Sequence, residues 1–199
     1  MKADKKFEND CLDYFKWAER RDLATANRYG VQGSFIQHKQ PCRACRKRGE
    51  WRPVESLPDI EGQVLDGPSF IFDCKHSSAR TSLQLKGSTI GRQLSHMMKR
   101  SRFGSICFYL VHFTERETAQ TFEAEATYAF PVSHSHPFWI AVEAGEITAL
   151  QRTDCDTHAI RVRWGVPKGC RNERPLLLDA IEELEVMFRT QPWLKAAAW

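Results

Sequence analysis

Ser105-Ile106-Cys107-Phe108-Tyr109-Leu110-Val111-His112-Phe113 is an almost unbroken apolar run with no turn residue inside it. A run of this length is too short for a membrane span and too uniform for a half-solvated strand, which would alternate. It reads as a central strand covered by helices on both faces. The chain must then supply other strands to flank it and amphipathic helices to cover it. The 42% hydrophobic and 27% charged content of the 199 residues is ordinary for a globular protein that can do this.

The remaining segments supply those parts. Residues 5 to 24 carry Phe7, Cys11, Tyr14, Phe15 and Ala18 at helical spacing, with Glu8 at the margin of the stripe. A strand is expected at Ser34–His38. A hairpin follows from about Asp59, turning at Asp66-Gly67-Pro68, with its second strand over Ser69–His76. Alternation sends Phe70, Phe72 and Cys74 to one face and Ile71, Asp73 and Lys75 to the other. Ile90–Arg102 reads as a helix with Leu94, Met97 and Met98 inward. A strand at Thr121–Glu125, a helical turn to Phe130, a hairpin within Ile147–Trp164 and a helix over Leu176–Thr190 complete the set. With no repeat or linker in sight, the expectation is one α/β domain over residues 1–199, built on a mixed central sheet flanked by helices.

Charge is distributed unevenly. The net charge is only +4, but Lys39, Arg43, Arg46, Lys47, Arg48 and Arg52 face a single acid, Glu50, between residues 39 and 52. Pro41, Gly49 and Pro53 break any period there, so residues 39–56 are expected to form a basic loop or protruding arm, with Trp51 able to stack on exposed bases. Arg92, Lys99, Arg100 and Arg102 make a second cluster. Both suit a polyanionic partner. Seven cysteines at irregular spacing give no disulfide framework, and the N-terminus lacks the apolar stretch of a secretory signal, so a reducing cytoplasm is expected. Cys42 and Cys45, with Cys155 and His158, have zinc-ligand spacing, but the pairs lie more than a hundred residues apart and structural zinc is not expected. His134 and His136 read as a proline-bracketed surface loop, and His76 and His96 as satisfied polar groups.

The strand Ser69–His76 ends in opposite charges on one face, Asp73 and Lys75, and the hairpin returns a third charge, Asp59, to the same end. Two carboxylates at a strand end supply hard oxygen ligands for Mg²⁺, which takes one or two carboxylates plus water and phosphate oxygens. The backbone carbonyl of Cys74 is the natural third protein ligand. A lysine beside them can orient a water or offset charge developing on a phosphate. Without an ion the two acids would repel each other.

Pro58-Asp59, about a dozen residues, then Asp73-Cys74-Lys75 at a strand end resembles the PD-(D/E)xK nuclease superfamily. The flanks narrow the resemblance to RecU-type Holliday junction resolvases: Thr81-Ser82 after the charged strand, Gln93 and His96 on one helix, Gly104 before the hydrophobic strand, and a Phe35-to-Pro41 segment like the family's His-Lys-Pro strand. It covers residues 5 to 132. The resemblance implies a restriction-endonuclease-like core with a basic stalk at 39–56. It makes Asp59 and Asp73 metal ligands and Lys75 the catalytic lysine, with Glu8 an additional acid and Gln93 a polar group near the scissile phosphate. It further implies Mg²⁺, with Mn²⁺ substituting, a homodimer, and four-way junction DNA cut by paired phosphodiester hydrolysis. A nuclease for duplex, flap or foreign DNA, or an inactive DNA-binding relative, are the alternatives. Three departures stand out: Asp73 where better-known members carry Glu, a shorter stalk bearing Cys42 and Cys45, and residues 133–199, which match nothing in the family.

Overall fold

The buried strand has its expected neighbours. The computed structural model describes residues 3–28, 35–37, 51–53, 58–77, 81–85, 88–117 and 122–191. In chain order these form α1 (Ala3–Glu19), β1 (Ala24–Arg28), β2 (Phe35–Gln37), β3 (Trp51–Pro53), β4 (Ile60–Val64), β5 (Ser69–Ser77) and β6 (Ser82–Gln84). Then come α2 (Ser88–Arg102), β7 (Ile106–Phe113), β8 (Arg116–Glu117), β9 (Phe122–Glu123), β10 (Ala126–Pro131) and α3 (Pro137–Glu143). The rest is β11 (Ala149–Gln151), α4 (Arg152–His158), β12 (Ile160–Val162), β13 (Trp164–Gly165), β14 (Arg174–Pro175) and α5 (Leu177–Thr190).

Six strands form one mixed sheet in the order β1-β4-β5-β7-β10-β12. Its single parallel pair, β5 with β7, is joined through α2, and every other pairing is antiparallel. This is the expected α/β architecture. Each of the eight side chains of β7 is buried, as its uniform apolarity requires. Phe15, Phe70, Phe72 and Phe108 line a stack under α1, with α5 closing the same face through Leu177, Ile181 and Leu184. Leu94, Met97 and Met98 of α2 cover the other face, with Trp139 of α3 and Cys155 of α4. Gly62 is required where it stands: a Cβ there would overlap both the Phe70 ring and the Thr25 carbonyl. Among the described residues no helix is long and apolar enough to cross a membrane.

Several expectations are corrected. The first helix stops at Glu19, where Asp22 takes a left-handed conformation at φ 54°, and the next segment becomes β1, the sheet's first strand. Phe35–Gln37 is a strand, but it pairs with Trp51–Pro53 in a separate ribbon. Residues 126–131 are a sheet strand instead of a helical turn, because pairing on both sides outweighs the helical preference of their alanines. No hairpin forms within 147–164. Asp154 accepts the Gln151 backbone N–H at 2.7 Å, which starts α4, while β11 pairs with β6 and β12 joins β10. His136 is buried instead of lying on a surface loop, and its Nδ1 accepts the Phe138 N–H at 3.1 Å to begin α3. Most of the expected arm, residues 38–50 and 54–57, lies outside the described residues. Residues 133–191 supply β12 to the sheet and α5 to the layer beside α1.

Candidate active site

Asp59 sits one residue before β4, whose register places Ile60 opposite Phe72. Continuing that register by one step brings Asp59 level with Asp73, at the point where β4 gives out and β5 continues alone beside β7. Asp59 Oδ2 accepts the Cys74 N–H at 2.8 Å, standing in for the missing strand partner. In an extended strand a residue's N–H and C=O share one edge. The Cys74 carbonyl therefore faces the same open edge as Asp59.

Asp73 is fully buried. Its Oδ1 accepts Gln93 Nε2–H at 2.7 Å, and its Oδ2 is in ion contact with Lys75 Nζ. Lys75 Nζ also donates to Gln93 Oε1 at 3.2 Å, closing a three-membered ring of polar groups. Gln93 reaches the ring because α2 turns Gln93, Leu94, Met97 and Met98 inward while Arg92 and Lys99 stay exposed. Burial, with Asp59 as a second cause, pushes the Asp73 carboxyl up to about 7 despite the opposing pull of Lys75. One ammonium does not compensate two carboxylates in this position.

That imbalance is what a divalent cation would correct. Asp59 and Asp73 supply hard oxygens and the Cys74 carbonyl a third, a donor set suited to Mg²⁺ with the rest of its shell left to water and phosphate. No group of three or more His, Cys, Asp or Glu side chains placed to hold a metal occurs among the described residues.

Of the sequence-predicted residues, the structure brings Asp59, Asp73, Cys74, Lys75 and Gln93 together. Glu8 stands apart from the ring: its Oε1 pairs with Arg28 Nε at 2.9 Å, and burial, then the charge of Asp59, raises its pKa. Arg92 and Lys99 lie exposed on α2, and Arg100 is half-buried. Lys39, Arg43, Arg46, Lys47 and Arg48 fall outside the described residues, as do Cys42 and Cys45, and of Trp51 and Arg52 only the backbone is described. Cys155 is buried in the core and His158 packs edge-on against His136 at 5.6 Å.

Sequence reasoning missed three neighbours. Arg28, which engages Glu8, lies in a strand without an apolar pattern. Tyr109 stands beside Asp73 across the parallel register, with Lys75 Nζ 5.9 Å from its ring centre. Glu61 follows Asp59 by two residues and shares its face, its pKa raised by burial and countered by Arg100. Strand alternation from Asp59 would have found Glu61.

No protein-family model matches the chain, and no curated protein is significantly similar to it in sequence. Among solved structures it is similar to Archaeoglobus fulgidus Hjc, a Holliday junction resolvase from an archaeal hyperthermophile, with a TM-score of 0.43 and 15% identity over 79% of this chain and 94% of that one. Similarity this low transfers neither a residue role nor an activity between the two chains.

Proposed function

We propose that the chain is a metal-dependent DNA endonuclease that resolves four-way junctions. The observation that carries this reading is the buried Asp73 carboxylate, held between Asp59, Lys75 and Gln93 at the strand end with more negative charge than its neighbours neutralise. The motif order resembling RecU-type resolvases supports the substrate class. Asp59, Asp73 and the Cys74 carbonyl would hold Mg²⁺, or Mn²⁺ in its place. A bound divalent ion supplies the positive charge that polarises a phosphodiester and lowers the pKa of water.

The chain's own residues do the rest. Gln93 fixes the Asp73 carboxylate through Oδ1 and Lys75 through Nζ, so neither needs to reorganise as charge develops. Lys75, 18% exposed at its side chain, reaches the phosphate side of the cluster and offsets the charge accumulating on its oxygens. Water adds to phosphorus, one P–O ester bond breaks, and the water's proton ends on the departing alkoxide. Arg92 and Lys99, with the basic segment 39–52, would hold the DNA arms through phosphate contacts. A homodimer would place two such sites on the two strands to be cut. The five described cysteines are free thiols, in keeping with a reducing cytoplasm.

The complete burial of Asp73 favours a second reading, a DNA-binding protein of the same architecture that does not cut. One experiment separates them. The purified protein with Mg²⁺ is offered a synthetic four-way junction, a linear duplex and a flap. Paired symmetric nicks confined to the junction are expected. Cutting of every substrate makes it a broader nuclease, and binding without cleavage makes it the non-enzyme.

A further inference from the structure

The end of the sheet remote from Asp73 carries a second acidic surface, built around exposed leucines. Two adjoining clefts of about 580 and 380 Å³ meet at Val64 and Leu65, beside the β4–β5 turn. Roughly 17 Å of extended chain separates Pro68 of that turn from Asp73. Leu65 is 61% exposed and Leu23, across the cleft, 40%. The two loops bearing them are tied together, Leu65 N–H donating to the Leu23 carbonyl at 2.9 Å. They therefore present two leucines on a fixed platform.

The rim around these leucines is acidic throughout. Glu19, Asp22, Asp66, Glu182 and Glu185 line the two clefts, and no lysine, arginine or histidine among the described residues does so. Glu185 pairs with Arg189; the other four have no ion-pair partner among the described residues. Such a concentration on a chain of net charge +4 excludes nucleic acid from this face. Apolar anchors exposed at the centre of an acidic rim fit a basic amphipathic segment, its leucine-like side chains in the clefts and its lysines or arginines over the carboxylates.

We propose that this surface is a docking site for a basic amphipathic helix of a protein partner. The docking of the helix does not depend on the nuclease reading, and its test uses no DNA. The probe is a fluorescein-labelled 14-residue peptide of leucine and lysine at helical spacing; controls are the same peptide with glutamate for lysine and a scrambled version. Anisotropy is expected to show saturable binding of the helical basic peptide alone. Leu65→Ser, and separately Glu19→Lys with Glu182→Lys, should each weaken it about tenfold. All three positions are exposed, and far-UV circular dichroism matching the parent's reports that the variants fold. The proposal is overturned if the peptide fails to bind, if the variants bind it as the parent does, or if the scrambled peptide binds equally. Self-association of the parent that Leu65→Ser abolishes would assign the face to a second copy instead, which also overturns it.

Discussion

Strands β5 and β7 lie side by side, parallel and in register from Phe70 beside Ile106 to Ser77 beside Phe113, yet they are built on different principles. Both cross the middle of the sheet. On the face covered by α2, β7 offers Cys107, Tyr109, Val111 and Phe113, and the matching positions of β5 are Ile71, Asp73, Lys75 and Ser77. The apolar version shows what the fold needs there. The charged version places a carboxylate and an ammonium where β7 has Tyr109 and Val111, and burying such a pair seldom gains stability over an apolar replacement. The charges of β5 are thus a cost to the fold, and the proposed function gives that cost a purpose.

The sharpest way to break that contrast is to neutralise the carboxylate. Asp73→Asn keeps the shape and the Gln93 Nε2 contact but removes the charge. Cleavage of a four-way junction should fall by about 10³-fold or more, the loss expected when a preorganised charged group leaves a reacting centre. Junction binding, measured by gel shift, should hardly change. A variant that cuts at the parent's rate would return Asp73 to the ranks of structural residues, and the two strands would no longer differ in purpose.

The same substitution should act in the other direction on stability. The folded-state pKa of Asp73 is raised above its ordinary value of 3.8, to about 7, chiefly by burial. Its contribution is fully present below the unfolded pKa and is lost as pH rises from about 4 through 7, because the folded protein then holds a proton that the unfolded chain gives up. Metal-free parent protein should therefore lose melting temperature relative to Asp73→Asn across that window. At pH 8 the metal-free variant should have the higher melting temperature. Lys75 is not stranded by the change, since it retains Gln93 Oε1 at 3.2 Å. Adding Mg²⁺ should narrow the gap by stabilising the parent alone. Differential scanning fluorimetry against pH reads both effects, and a less stable metal-free variant at pH 8 would mean that the Asp73–Lys75 pair serves the fold.

The two strands also show where sequence reading succeeds and where it stops. An eight-residue apolar run can only be a covered strand, and period-two alternation puts Asp73 and Lys75 together on one face without any knowledge of the rest. Their meeting with Asp59 follows from a short hairpin with a defined turn. β1 was hidden for the converse reason. Ala24-Thr25-Ala26-Asn27-Arg28 has no pattern of its own, and it is a strand because β4 pairs with it and Gly62 allows the close approach. The Glu8–Arg28 pair was out of reach with it, joining a helix to that unseen strand. Residues 126–131 failed differently: a short stretch rich in alanine carries a local helical bias, and only the two flanking strands reverse it.

The finest test lies on the apolar strand. Tyr109 is fully buried beside Asp73, yet its hydroxyl has no hydrogen-bond partner among the described residues, and burial together with the Asp73 and Asp59 charges holds its pKa well above the ordinary range. An unpartnered phenol in a packed layer is a cost. If β7 is purely structural, Tyr109→Phe removes that cost and nothing else, giving a gain of about 0.5–1 kcal/mol in denaturant unfolding and junction cleavage within about twofold of the parent. A tenfold loss of cleavage with stability preserved would place the hydroxyl in the service of Asp73. The functional cluster would then extend across the strand boundary, because a buried hydroxyl that does nothing for the fold and matters for turnover has the same signature as Asp73 itself.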